Sequence, residues 1–244
     1  MNYQESLDAA AKFKITARNY ADTPVPADLV QHLLNIGTGG PFKQGRRYFD
    51  LVAIQSPALS NAIWTNTVRP GEDVELIKEH KVYNDGTPVT IVGNAQVLAP
   101  VLFAWIKLKK PTPAEPDEPY YTMKEGELAY DEMQNAMMGV GSSMGMLGYE
   151  ANRLGLRTGN CLCFDDAPIS ELVKTHMLDV HGITYLAGDE VTLLLGCGYP
   201  NPDMDIREHP MIKDHDYHTR PHDRDDPKTY ILTTLAMDAE VDGT

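Results

Sequence analysis

The stretch from Ala129 to Leu154 contains no proline and is closed by Gly155, and no other feature constrains the chain as strongly. A run of this length without a breaker, from Asp131-Glu132-Met133 through Met144-Gly145-Met146-Leu147-Gly148 to Arg153-Leu154, predicts one long central helix. Its middle is rich in small residues: Gly139, Gly141, Ser142, Ser143, Gly145 and Gly148. Each glycine in a helix interior costs about 1 kcal/mol relative to alanine, so the run implies that something must approach the helix closely. Helix-on-helix packing, in a core or in a dimer interface, is the first explanation. A flat ligand lying against the helix end is the second.

The remaining elements are shorter. Apolar residues recur at roughly helical spacing from Tyr3 to Arg18, predicting a helix that runs into a basic turn at Lys12-Phe13-Lys14-Ile15-Thr16-Ala17-Arg18. Pro24-Val25-Pro26 stops it, and the i, i+3, i+4 apolar face of Ala27 to Ile36 predicts a second helix starting at Pro26. The loop Gly37-Thr38-Gly39-Gly40-Pro41 follows, with glycines that let another group approach the backbone. Tyr48 to Ile54 predicts a buried strand, Ala58 to Thr65 a helix, and Pro88 to Val92 and Ala99 to Ile106 short strands. Lys109 to Glu118, rich in proline and acid, predicts an exposed connection. After the long helix, Arg157 to Phe164 is expected to be extended, Ala167 to Met177 helical and Glu190 to Gly196 a strand. Asn201 to Lys228 is a polar tail, followed by a last strand at Tyr230 to Leu235. No internal repeat is present. At 244 residues the chain is expected to form one α+β or α/β domain over 1–244, with a polar C-terminal extension from about residue 201.

A formal charge of −14 disfavours nucleic acid and anionic membrane as partners, since binders of such polyanions rely on clustered lysine and arginine. The most apolar stretch, Val97 to Leu108, is too short to cross a bilayer. Three cysteines and the lack of a basic-then-apolar N-terminus lead us to expect a reducing, cytoplasmic setting.

Lys14-Thr16-Arg18 alternates positive, hydroxyl and positive groups, which one extended stretch would project to one side, as a phosphate requires; a solvated basic face is the plainer reading. The sequence Lys14-Ile15-Thr16-Ala17-Arg18-Asn19-Tyr20, followed by Pro24-Val25-Pro26 and an amphipathic helix, resembles the opening of nitroreductase-family flavoproteins. Three later blocks resemble that family in the same order. These are Gly39-Gly40-Pro41 with the strand Phe49 to Ala53, the long helix ending in Arg153-Leu154-Gly155-Leu156, and Leu195-Gly196-Cys197-Gly198-Tyr199-Pro200.

The resemblance implies a mixed sheet flanked by helices and an interlocked homodimer with two FMN sites between subunits. It implies that NADH or NADPH gives hydride to flavin N5, and that electrons then pass to a small electron-poor acceptor such as a nitroaromatic or a quinone. It assigns Lys14, Thr16 and Arg18 to the FMN phosphate and ribityl chain, with Arg220 or Arg224 reaching the phosphate from the tail. It also sets the stretch Asn160-Cys161-Leu162-Cys163 where the family holds a backbone amide against N5. No side-chain acid or base is required for the first half-reaction, so no catalytic residue is named.

Two departures stand out. The family's second flavin loop has an Asn and a Gln where a gap-free reading gives Gly45 and Arg47, so Gln44 or Arg47 must hold the pyrimidine edge, or that edge is held differently. The N5 stretch carries Cys161 and Cys163. Their Cys-x-Cys spacing lacks a second pair, so zinc is a poor fit unless histidines join, and the His209, His215, His218 and His222 tail reads as solvated surface. No metal is assigned. Dehydrogenation, dehalogenation or flavin fragmentation on the same fold, and flavin binding without catalysis, remain as alternatives.

Overall fold

A computed structural model describes residues 3–40, 46–67, 80–82, 88–90, 94–112, 125–162 and 164–208. Helix α1 spans Tyr3–Phe13 and α2 spans Ala27–Thr38. Pro26 precedes α2 in an extended conformation (φ −57°, ψ 143°), which its ring favours, and Val30, Leu33 and Gly37 face inward. Strand β1 is Arg47–Ile54 and helix α3 is Pro57–Thr65. Ser56 caps α3 by accepting a hydrogen bond from Leu59 N (3.3 Å), and Pro57 fills the first turn, where its missing N–H is not needed. A hairpin of β2 (His80–Val82) and β3 (Pro88–Thr90) and a 3-10 turn (Ala95–Leu98) lead to β4, Val101–Thr112. The long helix α4 is Glu125–Arg153, followed by β5 (Arg157–Cys161), α5 (Asp166–His181) and β6 (Glu190–Gly198). Asp165 caps α5 from Ala167 N, and Gly182 ends it at a positive φ of 66° with its N–H on Leu178 O.

The main sheet has the order β1-β4-β6-β5. All three pairings are antiparallel, so the parallel part of the expected mixed sheet is not among the described strands. Strand β4 lies near the centre, and every residue from Val101 to Ile106 is fully buried. Its side chains alternate: Val101, Phe103 and Trp105 join the core under α2 and α4, and Leu102, Ala104 and Ile106 join the core under α3 and α5. A strand covered on both faces reads as a continuous apolar run, which is why this one is visible in the sequence.

Helix α1 stops at Phe13 and gives way to the expected basic turn, and Ala17 and Arg18 give their N–H groups to Thr158 O and Ile206 O (2.9 Å each) rather than to a helix. Strand β4 continues to Thr112, through the Lys109–Pro111 stretch expected to be a connection. Its pairing with β6 ends at Lys107–Glu190, so Pro111 costs no ladder bond on that side. The Tyr230–Leu235 strand lies outside the described residues.

The small-residue run of α4 divides by face. Ser143 is buried; it accepts from Trp105 Nε1 (2.8 Å) and donates to Gly37 O (2.5 Å), tying α4 to β4 and α2. A Cβ on Gly148 would run into the Phe13 ring, so that glycine lets α1 close on α4. Gly141 and Gly145 are different. Nothing lies within 4 Å of the Cβ that either would carry. By helical spacing they share one side of α4 with the exposed Met137 and Met138.

Candidate functional site

Residues 14–20 leave α1 and run beside β5. Lys14 is exposed, Thr16 and Arg18 are half-buried, and Ala17 between them is fully buried. The alternation read in the sequence holds from Thr16 onward, whereas Lys14 and Ile15 are both exposed in the turn that leaves α1, with Ile15 N on Lys12 O (3.2 Å). Thr16 Oγ1 donates to Asn160 Oδ1 (3.3 Å), which brings the basic stretch to the end of β5. Asn160 is exposed, Cys161 is buried and Leu162 is exposed; Cys163 lies outside the described residues. The cationic stretch and the end of β5 thus meet at the Thr16–Asn160 contact.

The chain after β6 folds back onto the same stretch. Ala21 N donates to Tyr199 O (2.9 Å), and Asn19 Nδ2 donates to Asp205 O (2.6 Å) and Glu208 O (2.8 Å). Arg18 N donates to Ile206 O (2.9 Å), which sets the backbone next to Arg207 beside Arg18. Arg207 is held by Asp205 (Nε–Oδ1 3.1 Å), and that carboxylate raises its pKa. Arg220 and Arg224, the tail residues expected here, lie outside the described residues. Arg207 was missed because the sequence does not reveal that residues 205–208 bond back to Arg18 and Asn19.

Arg47 is elsewhere. It stands on β1, the opposite edge of the sheet, with β4 and β6 between it and β5. Three strand spacings put these edges roughly 14 Å apart. Its Nε pairs with Asp50 Oδ1 (3.1 Å), and Asp50 Oδ2 accepts from Tyr185 Oη (3.1 Å). Burial and the Asp50 charge push the Tyr185 hydroxyl well above the usual range. Gln44 lies outside the described residues. Among the described residues of one chain, the phosphate-type residues therefore lie on the β5 edge and the second-loop residue Arg47 on the β1 edge.

The Cys197 thiol is not a reactive group in this arrangement. Burial pushes Cys197 up to about 12, so it is protonated at neutral pH. Cys161 and Cys197 belong to the cores on opposite faces of the sheet, so they are not a redox pair. The described residues hold no group of three or more metal-ligating side chains, and the histidine-rich tail lies outside them. No described helix is long and apolar enough to cross a membrane.

Solved structures supply the decisive comparison. The NADPH:FMN oxidoreductase from Vibrio harveyi, in complex with NAD+, matches 93% of this chain and 79% of its own at a TM-score of 0.54 and 12% identity. This chain has a nitroreductase-like fold. A BluB-like flavoprotein from Clostridium difficile shares that fold over 84% of this chain and 93% of its own (TM-score 0.55, 14% identity). Nitroreductase A from Vibrio parahaemolyticus does so over 85% and 72% (TM-score 0.52, 9% identity). No family profile and no curated protein sequence matches. At these identities the nitroreductase-like likeness is one of fold, so the chemistry must be argued from this chain's own residues.

Proposed function

We propose that the protein is an FMN-dependent, NAD(P)H-oxidising flavoenzyme that acts as a homodimer, with each flavin held between the β5 edge of one protomer and the second-loop region of its partner. The observation that carries this reading is the split of the resemblance-assigned residues between opposite edges of one sheet. A second copy related by a two-fold axis supplies both edges to each site, twice over. The outer face of α4 suits the contact, because Gly141 and Gly145 leave room for a close neighbour and the exposed Met137 and Met138 beside them supply adaptable apolar area. Against this stands Arg47, whose guanidinium is already paired with Asp50.

The donor set fits a phosphate monoester. Lys14, the Thr16 hydroxyl, Arg18 and Arg207 lie on neighbouring segments, two of them joined through Arg18 N and Ile206 O. An anion would compete with Asp205 for Arg207. Bound FMN would supply hydride acceptance from a nicotinamide and electron delivery to an electron-poor acceptor. The chain's residues hold and orient: Arg18 and Arg207 neutralise the phosphate, Thr16 and Asn160 fix the edge of the site, and Leu162 gives it an apolar wall. Buried free thiols agree with a reducing, cytoplasmic setting.

The test is direct. Purified protein should carry flavin absorption, elute as a dimer and be bleached anaerobically by NADH or NADPH, then reoxidised by a quinone or a nitroaromatic. Colourless monomer that neither nicotinamide nor FMN affects would refute the proposal. A second reading, other redox chemistry on the same flavin site, is favoured by Arg47 standing where the family has a neutral amide, its guanidinium paired with Asp50. Flavin bound but not reduced by either nicotinamide would select it.

A further inference from the structure

The strands β5 and β6 meet at a pair of glycines. Gly159 and Gly196 are register partners, so their missing side chains leave one notch across two strands. The 3-10 turn Ala95–Leu98 fills it. A Cβ on Gly196 would run into the backbone carbonyl of Gln96, and one on Gly159 would meet Ala17 O and the Gln96 side chain. Tyr20 Oη closes the notch from the other side and donates to Gln96 O (3.4 Å). Seated this deeply, Gln96 is 8% exposed, and its Nε2 donates to Asn160 O (3.3 Å).

Asn160 is thus held at two points. Its carbonyl accepts from Gln96 and its side-chain oxygen accepts from Thr16. The Asn160 carbonyl and the Cys161 N–H belong to one planar peptide, so fixing the first fixes the direction of the second. We infer that Gln96 is a positioning residue: seated in the Gly159–Gly196 notch, it holds the Asn160–Cys161 peptide at the last paired residues of β5 and so fixes the direction in which the chain leaves the strand at Leu162, where its backbone faces the flavin. This rests on the flavin reading above for what the end of β5 faces, but not for the Gln96–Asn160 hold itself.

The chemistry of the donor provides the test. Gln96→Leu keeps the bulk and loses the donor. Gln96→Glu has no donor when ionised and regains one when protonated. Each variant is compared with wild type by FMN titration, following fluorescence, and by hydrogen exchange of the amides from Asn160 to Leu162. The expected result for Gln96→Leu is about a tenfold weaker FMN affinity, the size of one net hydrogen bond, with faster exchange at those amides. For Gln96→Glu the ratio of variant to wild-type Kd should fall toward one between pH 8 and pH 5, a change that a merely space-filling residue would not produce. If wild type binds FMN and neither variant differs from it, the positioning role is overturned and the flavin reading stands. If wild type does not bind FMN, the flavin reading fails, and unchanged amide exchange in Gln96→Leu would overturn the Gln96–Asn160 hold as well. Should Gln96→Leu not fold, the pH-dependent ratio of Gln96→Glu decides.

Discussion

The outer glycines of α4 offer a test in which the sign of the effect decides. In a single chain the Cβ of Gly145→Ala meets nothing within 4 Å, and the same holds for Gly141→Ala. Alanine in a helix interior is favoured over glycine by about 1 kcal/mol, so an α4 with a free outer face gains about that much from each change. If a second copy packs on this face, the added methyl enters a filled space. Overpacking typically costs about 1–3 kcal/mol, and in a symmetric dimer it occurs twice. The proposed homodimer therefore predicts a net loss where the isolated chain predicts a gain. Sedimentation equilibrium and urea denaturation at several protein concentrations measure both terms, because only the dimer's stability depends on concentration. Gly145→Ala should raise the dimer dissociation constant and lower the denaturation midpoint. Gly145→Leu should give monomer or aggregate and lose flavin in parallel. A Gly145→Ala protein that is about 1 kcal/mol more stable, with an unchanged dissociation constant, would refute the interface.

Three further outcomes follow from named contacts. Arg18→Ala should weaken FMN binding by about one to two orders of magnitude, since a charge-assisted phosphate contact is worth roughly 1.5–3 kcal/mol; unchanged FMN retention on dialysis would dismiss that role. Ser143→Ala leaves Trp105 Nε1 and Gly37 O buried without the Ser143 hydroxyl as partner and should cost about 2–4 kcal/mol in urea denaturation, whereas a loss below about 0.5 kcal/mol would show that water or repacking replaces the hydroxyl. Glu150 is held at about 2, first by the Arg153 hydrogen bond and then by His32. A carboxylate depressed in the folded state adds stability that is present above its unfolded pKa and lost as pH falls through the folded one. Discounted for solvent screening, that stability is on the order of 1–2 kcal/mol. The gap between wild type and Glu150→Gln should therefore be full at pH 7 and shrink below about pH 4.5; a gap independent of pH would place the effect in packing.

The candidate site was legible in part. Lys14, Thr16 and Arg18 stand out because alternation along an extended stretch is a local pattern, and the structure keeps Thr16 and Asn160 in contact. Arg207 and Gln96 were missed. Arg207 joins the site only through backbone bonds spanning most of the chain, and Gln96 only because two glycines fall opposite each other in adjacent strands. Gly159 and Gly196 are visible in the sequence. Their pairing is not.

The sequence by itself determined what depends on neighbours within a few residues. The proline-free run became α4, and the continuous apolar run became the doubly covered β4. Pro26 and Asp165 mark helix starts, and Gly182 a helix end, as local backbone preference requires. The tertiary structure decided strand order, register and edges. It put Arg47 and Arg18 on opposite margins of one sheet, turned Ser143 inward and Gly141 outward on the same helix, and seated Gln96 over a glycine pair. These are set by packing between segments far apart in the chain. Such contacts are fixed by the shape of the whole core, whereas local periodicity records only which side of an element is apolar.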